Sequence, residues 1–420
     1  MKRILLIAAV LLLAVPTVSA QRVRYRILQN EGRRAGGWAI VDDIPNSAKG
    51  ATVYAADGTE IPSQADDLDG DGVLDELVFC VADAPCEVEV VYRDKAVGHD
   101  YKPLVNAQMW WKNDDKTLTE SRVLSSEKDD MYRKLHHHGP AFESEYTAYR
   151  IYFDKKQSVD TYGKKRPALE LRETMWYPSR EQLAAGYGHD NLRVFGSVSV
   201  GALKGWNAAT GTAEHIVDMR RREAAIRAAG PLRTVVDMRV EGWQYGGREI
   251  NMTSRYILYG GGSAVKVENR IEGDSVDGLQ FATGVMKMAR NGGLHHECDD
   301  RMCLLSTVGE DFPENDTLVW ERETMGLAVV LPAAQVVSQI DDALSWLCQL
   351  QPVDGRIDYW LCAAWRKSGF LNEEERENPS LAAAREAQAA VGSELRAVRI
   401  LKHKRIKGRL SVGTRRRQQP

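Results

Sequence analysis

Strand-like segments separated by glycine-rich turns are the feature that most constrains the fold of this chain. Four segments are rich in β-branched and aromatic residues: Leu192–Val200, Arg233–Trp243, Glu249–Tyr259 and Ala264–Ile271. Apolar and charged residues alternate within the second segment, the pattern of a strand with one buried and one solvated face. Only residues 380–391 indicate a helix, which Ser380 would cap and Gly392 would end. We therefore predict a mainly β protein built on a large antiparallel β-sandwich.

The chain divides by composition into four parts. Residues 1–20 combine a charged start, an apolar run and a small-residue cleavage site, as a secretory signal peptide does. No later run reaches the roughly 18 apolar residues of a membrane span, so we expect export through the inner membrane and a periplasmic location. Residues 21–97 predict a small N-terminal β module, residues 98–401 the main β-sandwich domain, and residues 402–420 a basic, disordered tail.

The distribution of charge argues against nucleic acid as a partner of the folded body. The formal net charge is −3, but the tail carries eight Lys or Arg and no acid. Without the tail and the two positive charges of the signal, the remaining residues carry a formal net charge near −13. An acidic surface does not attract a phosphate backbone. We expect the tail to be a solvated end, with an adhesive patch as the alternative.

An acidic loop in the N-terminal module resembles the start of a calcium-binding loop. Carboxylates recur at alternate positions in Asp67-x-Asp69-x-Asp71, and a glycine and Asp75 follow. Oxygen ligands at this spacing converge on a hard cation, and the glycine permits the sharp turn. Val78 stands where an EF-hand would place its bidentate glutamate, so a complete EF-hand is excluded. We expect either structural calcium on these four aspartates or a solvated acidic turn, without a catalytic role.

Six cysteines are compatible with an oxidising compartment. Their spacing suggests three close pairs: Cys80 with Cys86, Cys298 with Cys303, and Cys348 with Cys362. No Cys-x-x-Cys spacing occurs, which makes disulfides a better prediction than a metal site. The histidines just before Cys298 also offer metal ligands, but we favour a polar loop held by a disulfide.

Residues 136–165 gather more proton-transfer chemistry than a surface loop normally does. They contain three consecutive histidines, and the strand composition of Glu145–Phe153 places Tyr146, Arg150 and Tyr152 on one face. A guanidinium between tyrosines suits an anionic sugar, because its planar fork matches a carboxylate. His138 begins a His-Gly-Pro corner that would hold its imidazole at the mouth of the strand. We expect this stretch to form the site.

Five further residues are candidates for the same site. His189, followed by an aspartate, lies where a loop would deliver an imidazole to a sheet. Arg233 opens a strand after a turn and is expected either to bind an anion or to form a salt bridge. Trp243 is one of several tryptophans suited to stacking on a sugar, although most tryptophans belong to cores. Glu143 would orient catalytic groups, and Lys164 would help to bind a carboxylate.

Three stretches resemble a known family. HGPAFESEYTAYRIYFDKKQSVDTYGKK, DGTEIPSQADDLDGDGVLDELVF and GPLRTVV together look like the secreted bacterial family called domain of unknown function 4861. The resemblance covers most of residues 25–400, and the first two stretches carry it. The triple histidine, Phe142 and the basic tail depart from the family pattern.

This resemblance implies a β-sandwich of the mutarotase or polysaccharide-lyase kind. It also implies an oligosaccharide dehydratase, which removes water from the non-reducing-end uronic acid of ulvan fragments and leaves a 4,5-unsaturated sugar. Such a reaction needs a cation for the substrate carboxylate, a base for the C5 proton and an acid for the C4 hydroxyl. Arg150, helped by Arg233 or Lys164, is the candidate cation. His138 or His189 is the candidate base, and Tyr146 or the other histidine is the candidate acid.

We therefore predict a carbon–oxygen lyase whose partner is an acidic oligosaccharide and whose catalysis requires no cofactor. A polysaccharide lyase or a glycoside hydrolase on an acidic glycan is the first alternative, since Glu143 and Glu145 offer a pair of carboxylates. A non-catalytic glycan-binding protein is the second alternative. The oligomeric state is left open.

Overall fold

A computed structural model of the chain describes residues 20–30, 36–128, 131–195, 198–313 and 321–400. The protein is mainly β, with 51% strand and 9% helix. The predicted mainly β architecture with large antiparallel sheets is confirmed. Residues 1–19 of the predicted signal peptide and the predicted basic tail, residues 402–420, lie outside the described residues.

The N-terminal module is built on an eight-stranded, nearly closed sheet, here called the module sheet. Its strands are, in spatial order, Glu60–Ile61, Gly50–Ala55, Cys86–Arg93, Ala20–Ile27, Glu394–Arg399, Gly37–Val41, Glu76–Val81 and Ser63–Asp66. The fifth of these comes from the far end of the chain and pairs in parallel with the sixth. The module predicted over residues 21–97 therefore also contains a C-terminal strand.

The main body is organised around a nine-stranded antiparallel sheet, the central sheet. Its strands are, in spatial order, Val123–Ser126, Arg221–Ala229, Arg233–Tyr245, Arg248–Tyr259, Val265–Gly273, Arg356–Trp365, Glu323–Pro332, Met302–Asp311 and Arg290–Cys298. Strands 233–245, 248–259 and 265–273 follow the sequence prediction closely.

Two five-stranded antiparallel sheets lie against the central sheet. The small sheet contains His189–Asp190, Val159–Gly163, Thr147–Ile151, Ala141–Ser144 and Val105–Gln108. The outer sheet contains Thr212–Glu214, Lys204–Asn207, Phe281–Met286, Ser345–Leu350 and Val336–Asp341. A separate hairpin pairs Trp110–Lys112 with Leu118–Glu120.

The main hydrophobic core lies between the central sheet and these two smaller sheets. It joins Val236, Met238 and Val240 of the central sheet to Phe142, Tyr149 and Ile151 of the small sheet and Phe281, Val285 and Leu350 of the outer sheet. Each such side chain stabilises the fold by about 1.5–3 kcal/mol when fully buried. Because this core uses only one face of the small sheet, its other face can hold polar groups beside a smaller apolar cluster.

In the part of the chain that the structure describes, the helices are short except for one. The α-helices are α1 (Leu171–Thr174), α2 (Arg180–Ala184), α3 (Glu373–Glu377) and α4 (Pro379–Ala390), and 3₁₀ turns occur at Tyr132–Lys134 and Ala333–Gln335. α4 confirms the predicted helix, although Asn378 rather than Ser380 precedes its first turn. Pro379 suits the first helical position, and Gly392 beyond the end has φ +69°. Its alanines pack on the central sheet face opposite the main core.

Two sequence predictions are wrong in detail. Residues 192–195 and 198–199 form no strand, although Leu192 and Val200 are buried, because the segment leaves the small sheet after Asp190. The strand predicted over 145–153 is shorter, since residues 145–146 form a turn before Thr147–Ile151.

The predicted Cys298–Cys303 disulfide is confirmed. The other four cysteines are free, so the two other predicted pairs are wrong. Cys348 belongs to the outer sheet and Cys362 to the central sheet, where each is buried in a different hydrophobic cluster. Cys80 pairs across its sheet with Trp38 and Cys86 with Ile27, which keeps the two thiols apart.

Candidate functional site

The register of the small sheet brings polar residues together on the face that points away from the core. Arg150 pairs with Ala141 on one side and with Asp160 on the other. Asp190 stands opposite Tyr162 on the edge strand. Directly paired residues in an antiparallel sheet leave it on the same face. α1 and the segment that follows cover this face, so these side chains are largely removed from water.

Arg150 is the centre of this polar network and is only 3% exposed. Its Nε and Nη2 donate to Oδ2 of Asp160 over 2.9 and 2.6 Å, and Nη2 also donates to Oδ2 of Asp190 over 2.8 Å. The guanidinium carbon lies 4.5 Å from the ring centre of Trp176, and Nη1 donates to Oη of Tyr177 over 2.9 Å. Arg150 therefore uses its donors within the protein rather than on a ligand.

Charge and burial fix the protonation of the groups around Arg150. Burial alone would lower the pKa of Arg150, but Asp160 and Asp190 outweigh this effect and raise it well above its ordinary value. Burial also raises the pKa of Tyr152 and Tyr177, although the nearby guanidinium opposes the rise. At neutral pH the arginine is charged and both phenols keep their protons.

His138 reaches this network from a tight turn. Its φ is +65°, a left-handed conformation that is uncommon outside glycine. Its N–H donates to the Leu135 carbonyl, and its own carbonyl accepts from the N–H of Phe153 over 2.8 Å. A Cβ on the next residue, Gly139, would lie 1.7 Å from the carbonyl oxygen of Ile151. Only glycine therefore lets this turn lie so close to the strand that carries Arg150.

Hydrogen bonds define the tautomer of His138. Nδ1 lies 3.2 Å from the carbonyl oxygen of Tyr132, which can only accept, so Nδ1 carries the proton. Nε2 then accepts a hydrogen bond from the Tyr177 hydroxyl over 3.2 Å. Burial, followed by the charge of Arg150, lowers the pKa of His138 to about 4. His138 is thus a neutral base at physiological pH, in contact with a protonated phenol.

The segment after α1 adopts an unusual backbone that delivers Tyr177 to His138. Met175 and Trp176 both have positive φ, 51° and 75°. Left-handed conformations in residues other than glycine cost about 1–3 kcal/mol each and concentrate at functional sites. Here they turn the chain so that Trp176 and Tyr177 both contact the guanidinium of Arg150.

The two histidines before His138 hold the surrounding segments. Nε2 of His136 lies 3.0 Å from the carbonyl oxygen of Met175, on the left-handed segment. His137 is fully buried, with Nε2 3.2 Å from the Gln108 amide. Burial lowers the pKa of both imidazoles. His136 contacts the ring of Tyr177 edge-on, and His138 is the histidine whose Nε2 accepts a hydrogen bond from the Tyr177 hydroxyl.

A cleft of about 470 Å³ opens beside His138. Tyr132 and Tyr152 line it, and their ring centres lie 5.4 and 5.3 Å from that of the imidazole. Asp154, Lys155 and Lys156 also line it; Asp154 is buried and Lys155 is exposed. A neutral base, phenols and ammonium groups therefore lie close together at a surface that a ligand can reach.

Glu143 and Lys164 form a buried ion pair beneath α1 instead of a binding surface. Neither has any exposed area, and the Lys164 ammonium contacts the Glu143 carboxylate. Glu143 also accepts the backbone N–H groups of Glu170 and Leu171 over 2.8 and 3.0 Å. These contacts fix the start of α1, and through it the segment that carries Tyr177. Neither side chain reaches the cleft.

His189 and Tyr146 lie away from this cleft. His189 is adjacent to Asp190 and leaves the small sheet on the opposite face, where Nε2 is 3.1 Å from Oε1 of Glu323 in the central sheet. Tyr146 lies in the turn before Thr147–Ile151 and lines a separate cavity. The structure brings together His138 and Arg150 of the four predicted catalytic residues, and it places the other two elsewhere.

Arg233 and Trp243 are also outside the cleft. Arg233 donates to Asp66 over 2.9 Å and to Glu76 over 2.6 Å, which joins the central sheet to the module sheet. It is 1% exposed. Trp243 is equally buried and stacks on Tyr245 with ring centres 4.4 Å apart. The salt-bridge alternative accounts for Arg233, and Trp243 belongs to the main core.

The acidic loop brings three of its four aspartates together. Carboxylate oxygens of Asp67, Asp69 and Asp71 lie within 4.8 Å of one another. Each of these side chains also accepts a backbone N–H of the loop, and Asp75 accepts another over 2.6 Å. The ammonium of Lys49 contacts a carbonyl oxygen of the same loop. Three carboxylates fit a hard cation, and calcium binding stays a prediction.

The sequence prediction missed the roles of Asp160 and Tyr177. A hairpin centred on Lys155 would have paired Asp160 with Arg150, and the turn-forming residues there were the available signal. Tyr177 carries no such signal, because its position depends on two left-handed residues that no sequence pattern specified.

Comparisons with known proteins include distant similarities to solved structures, of which two are described here, and a match to one family. An alpha-mannosidase from Enterococcus faecalis V583 is 8% identical with a TM-score of 0.39, over 91% of this chain and 46% of that chain. A protein in the glycosyl hydrolase family 38 from Enterococcus faecalis is 7% identical with a TM-score of 0.40, over 91% and 48%. This chain thus spans about half the length of each. No curated protein matches it in sequence.

A family model matches residues 39–387, with the description Domain of unknown function (DUF4861). This range contains the His138 turn, Arg150 and the segment around Tyr177. Because the match spans most of the chain, the protein belongs to the DUF4861 family.

Proposed function

We propose that this protein is a carbon–oxygen lyase that eliminates water from the non-reducing-end uronic acid of acidic oligosaccharides. The observation that carries the proposal is the pair formed by His138 and Tyr177, in which a neutral imidazole accepts a hydrogen bond from a protonated phenol over 3.2 Å. A base and an acid held side by side match the two proton transfers of an elimination.

The reaction follows from the protonation states of this pair. Nε2 of His138 takes the C5 proton of the uronate, the electron pair forms the C4–C5 double bond, and the C4–O bond breaks. The Tyr177 hydroxyl protonates the departing oxygen, which leaves as water. The imidazolium then returns its proton to the tyrosinate across their hydrogen bond. This return is favourable because the pKa of His138 is low and that of Tyr177 is raised.

The role of Arg150 changes in this account. Its guanidinium is committed to Asp160 and Asp190, so Lys155 and Lys156 on the cleft are better placed to bind the substrate carboxylate. Arg150 instead positions Tyr152 and Tyr177, to whose hydroxyl oxygens it donates. Burial lowers the pKa of His138 most, and the charge of Arg150 adds to this effect and helps to keep the imidazole neutral.

A polysaccharide lyase would use the same pair with a sugar in place of water as the leaving group. A hydrolase acting through Glu143 is less favoured, because that carboxylate is buried and bonded to Lys164 and α1. The two proton transfers use side chains alone, so the proposed reaction requires no cofactor.

We also propose a periplasmic location. Within the described residues no helix is long and apolar enough to cross a membrane.

The first test is incubation of the purified protein with a panel of uronate-terminated oligosaccharides. Elimination creates a conjugated unsaturated uronate, so we expect near-ultraviolet absorbance to rise and the product to lose the mass of one water. The same absorbance with chain cleavage would indicate a polysaccharide lyase. Binding without any change of absorbance or mass would contradict enzymatic elimination and favour a glycan-binding protein.

A further inference from the structure

A second cavity, of about 340 Å³, lies between the small sheet, the central sheet and α4. Tyr146 and Phe370 form an aromatic corner on one side, with ring centres 5.0 Å apart and nearly perpendicular planes. Glu375, Arg385 and Glu386 supply polar groups from α3 and α4. Its volume is at the lower end of the roughly 300–1,000 Å³ range of small-molecule sites.

This cavity is separate from the His138 cleft. Thr147 and Thr161 line it, and they leave the small sheet on the face opposite to their neighbours Ala148 and Asp160. The two sites have no lining residue in common. The body of the small sheet therefore stands between them.

The polar groups of the cavity are held in place by the surrounding protein. Glu386 Oε1 accepts the N–H of Ser263 over 2.9 Å, which fixes this carboxylate at the wall. Arg385 Nη1 lies 3.0 Å from Glu374 and 3.5 Å from Glu375, and about half of its side chain is exposed. Fixed carboxylate and guanidinium groups next to aromatic rings can bond the hydroxyls of a sugar while the rings contact its apolar face.

The charged residues that line the two sites predict a different type of ligand for each. Two carboxylates and one guanidinium line this cavity, an excess of one negative charge, whereas Lys155, Lys156 and the carboxylate of Asp154 line the cleft, an excess of one positive charge. A wall with excess negative charge disfavours an anionic ligand. We infer that this cavity is a binding site for a neutral monosaccharide unit, independent of the proposed elimination site. The inference goes beyond the proposed function and does not rest on it.

Binding of glucose, galactose, mannose and xylose, with glucuronate as the anionic probe, tests this inference. Isothermal titration would compare the full-length protein with Tyr146→Ala, which removes the aromatic corner, and Arg385→Met, which keeps the helix. Tyr187→Ala is the matched control, a partly buried tyrosine outside the cavity. His138→Asn reports on the other site, because asparagine tolerates its left-handed backbone.

We expect at least one neutral sugar to bind, with affinity reduced at least about fivefold in Tyr146→Ala and in Arg385→Met. Tyr187→Ala and His138→Asn should bind it as the unaltered protein does. Glucuronate should bind more weakly to this cavity than the neutral sugars do. Absence of neutral-sugar binding, or equal binding by all variants, would overturn the inference while leaving the elimination assay untouched. Loss of binding in His138→Asn alone would assign the sugar to the cleft and also overturn it.

Discussion

Replacement of Tyr177 by phenylalanine tests whether His138 and Tyr177 act as one unit. The phenylalanine ring would fill the same volume, but the variant would lose the hydroxyl that donates to His138 and accepts from Arg150 Nη1. Tyr177 is 41% exposed, so water can replace much of what the arginine loses. We expect a loss of about 1 kcal/mol in unfolding free energy. Loss of the acid should lower kcat about 10²–10⁴-fold.

A double-mutant cycle with His138→Asn sharpens this prediction. If the base and the acid serve one concerted elimination, removing either abolishes most of the same rate enhancement. A loss of about 10³ corresponds to about 4 kcal/mol of activation free energy. The double variant should then lose about as much as each single variant, rather than the roughly 10⁶ that independent effects would give.

Initial rates from near-ultraviolet absorbance, with thermal unfolding as the check on folding, would measure the cycle. Tyr187→Phe is the matched control, because it removes a hydroxyl that is bonded to Glu173 outside the cleft. Its rate should stay within about twofold of the unaltered protein. Multiplicative losses in the double variant, or a fully active Tyr177→Phe variant, would refute the reasoning.

Three further predictions concern pH, the module junction and calcium. The pKa of His138 is about 4 in the folded protein, below its usual 6.5. We therefore expect kcat/KM to rise as pH rises through about 4 and then to level off, and we expect stability to fall as pH falls from 6.5 to 4. A midpoint near 6.5 in the rate profile would contradict the argument that burial lowers this pKa. Arg233→Met leaves Asp66 buried without its cation and should lower the unfolding free energy, measured in urea, by about 3 kcal/mol. The control Arg239→Met removes an exposed arginine and should lower it by less than about 1 kcal/mol. Equal effects would show that the junction does not depend on the Arg233–Asp66 pair. Calcium should raise the thermal midpoint of the protein but not that of Asp69→Asn, and no rise at millimolar calcium would favour the solvated acidic turn.

Local patterns in the sequence were sufficient for much of the β architecture. The strands Arg248–Tyr259 and Val265–Gly273 were identified from their composition, and the strand around Val236 from its alternation. Alternation also placed Arg150 and Tyr152 on one face, as their 3.1 Å hydrogen bond shows. Each of these predictions depends on the two-residue repeat of a strand, which neighbouring sheets do not alter.

Predictions that depended on the packing of sheets were less successful. His189 and Asp190 are adjacent in sequence, so the small sheet sends them to opposite faces, one to Glu323 and the other to Arg150. Arg233 contacts Asp66 and Glu76 because the module sheet packs against the central sheet. Such contacts join residues that are far apart in the sequence, and no local pattern encodes them.

The most direct test of the proposed elimination is the mass of the product formed in ¹⁸O-labelled water from the methyl glycoside of a uronate-terminated oligosaccharide, whose blocked reducing end cannot exchange oxygen with the solvent. Elimination by His138 and Tyr177 releases the C4 oxygen of the substrate and adds none from solvent. We therefore predict a product that is one water lighter than the substrate and free of ¹⁸O. A product that has gained one ¹⁸O through cleavage of a glycosidic bond would show hydrolysis and contradict the account.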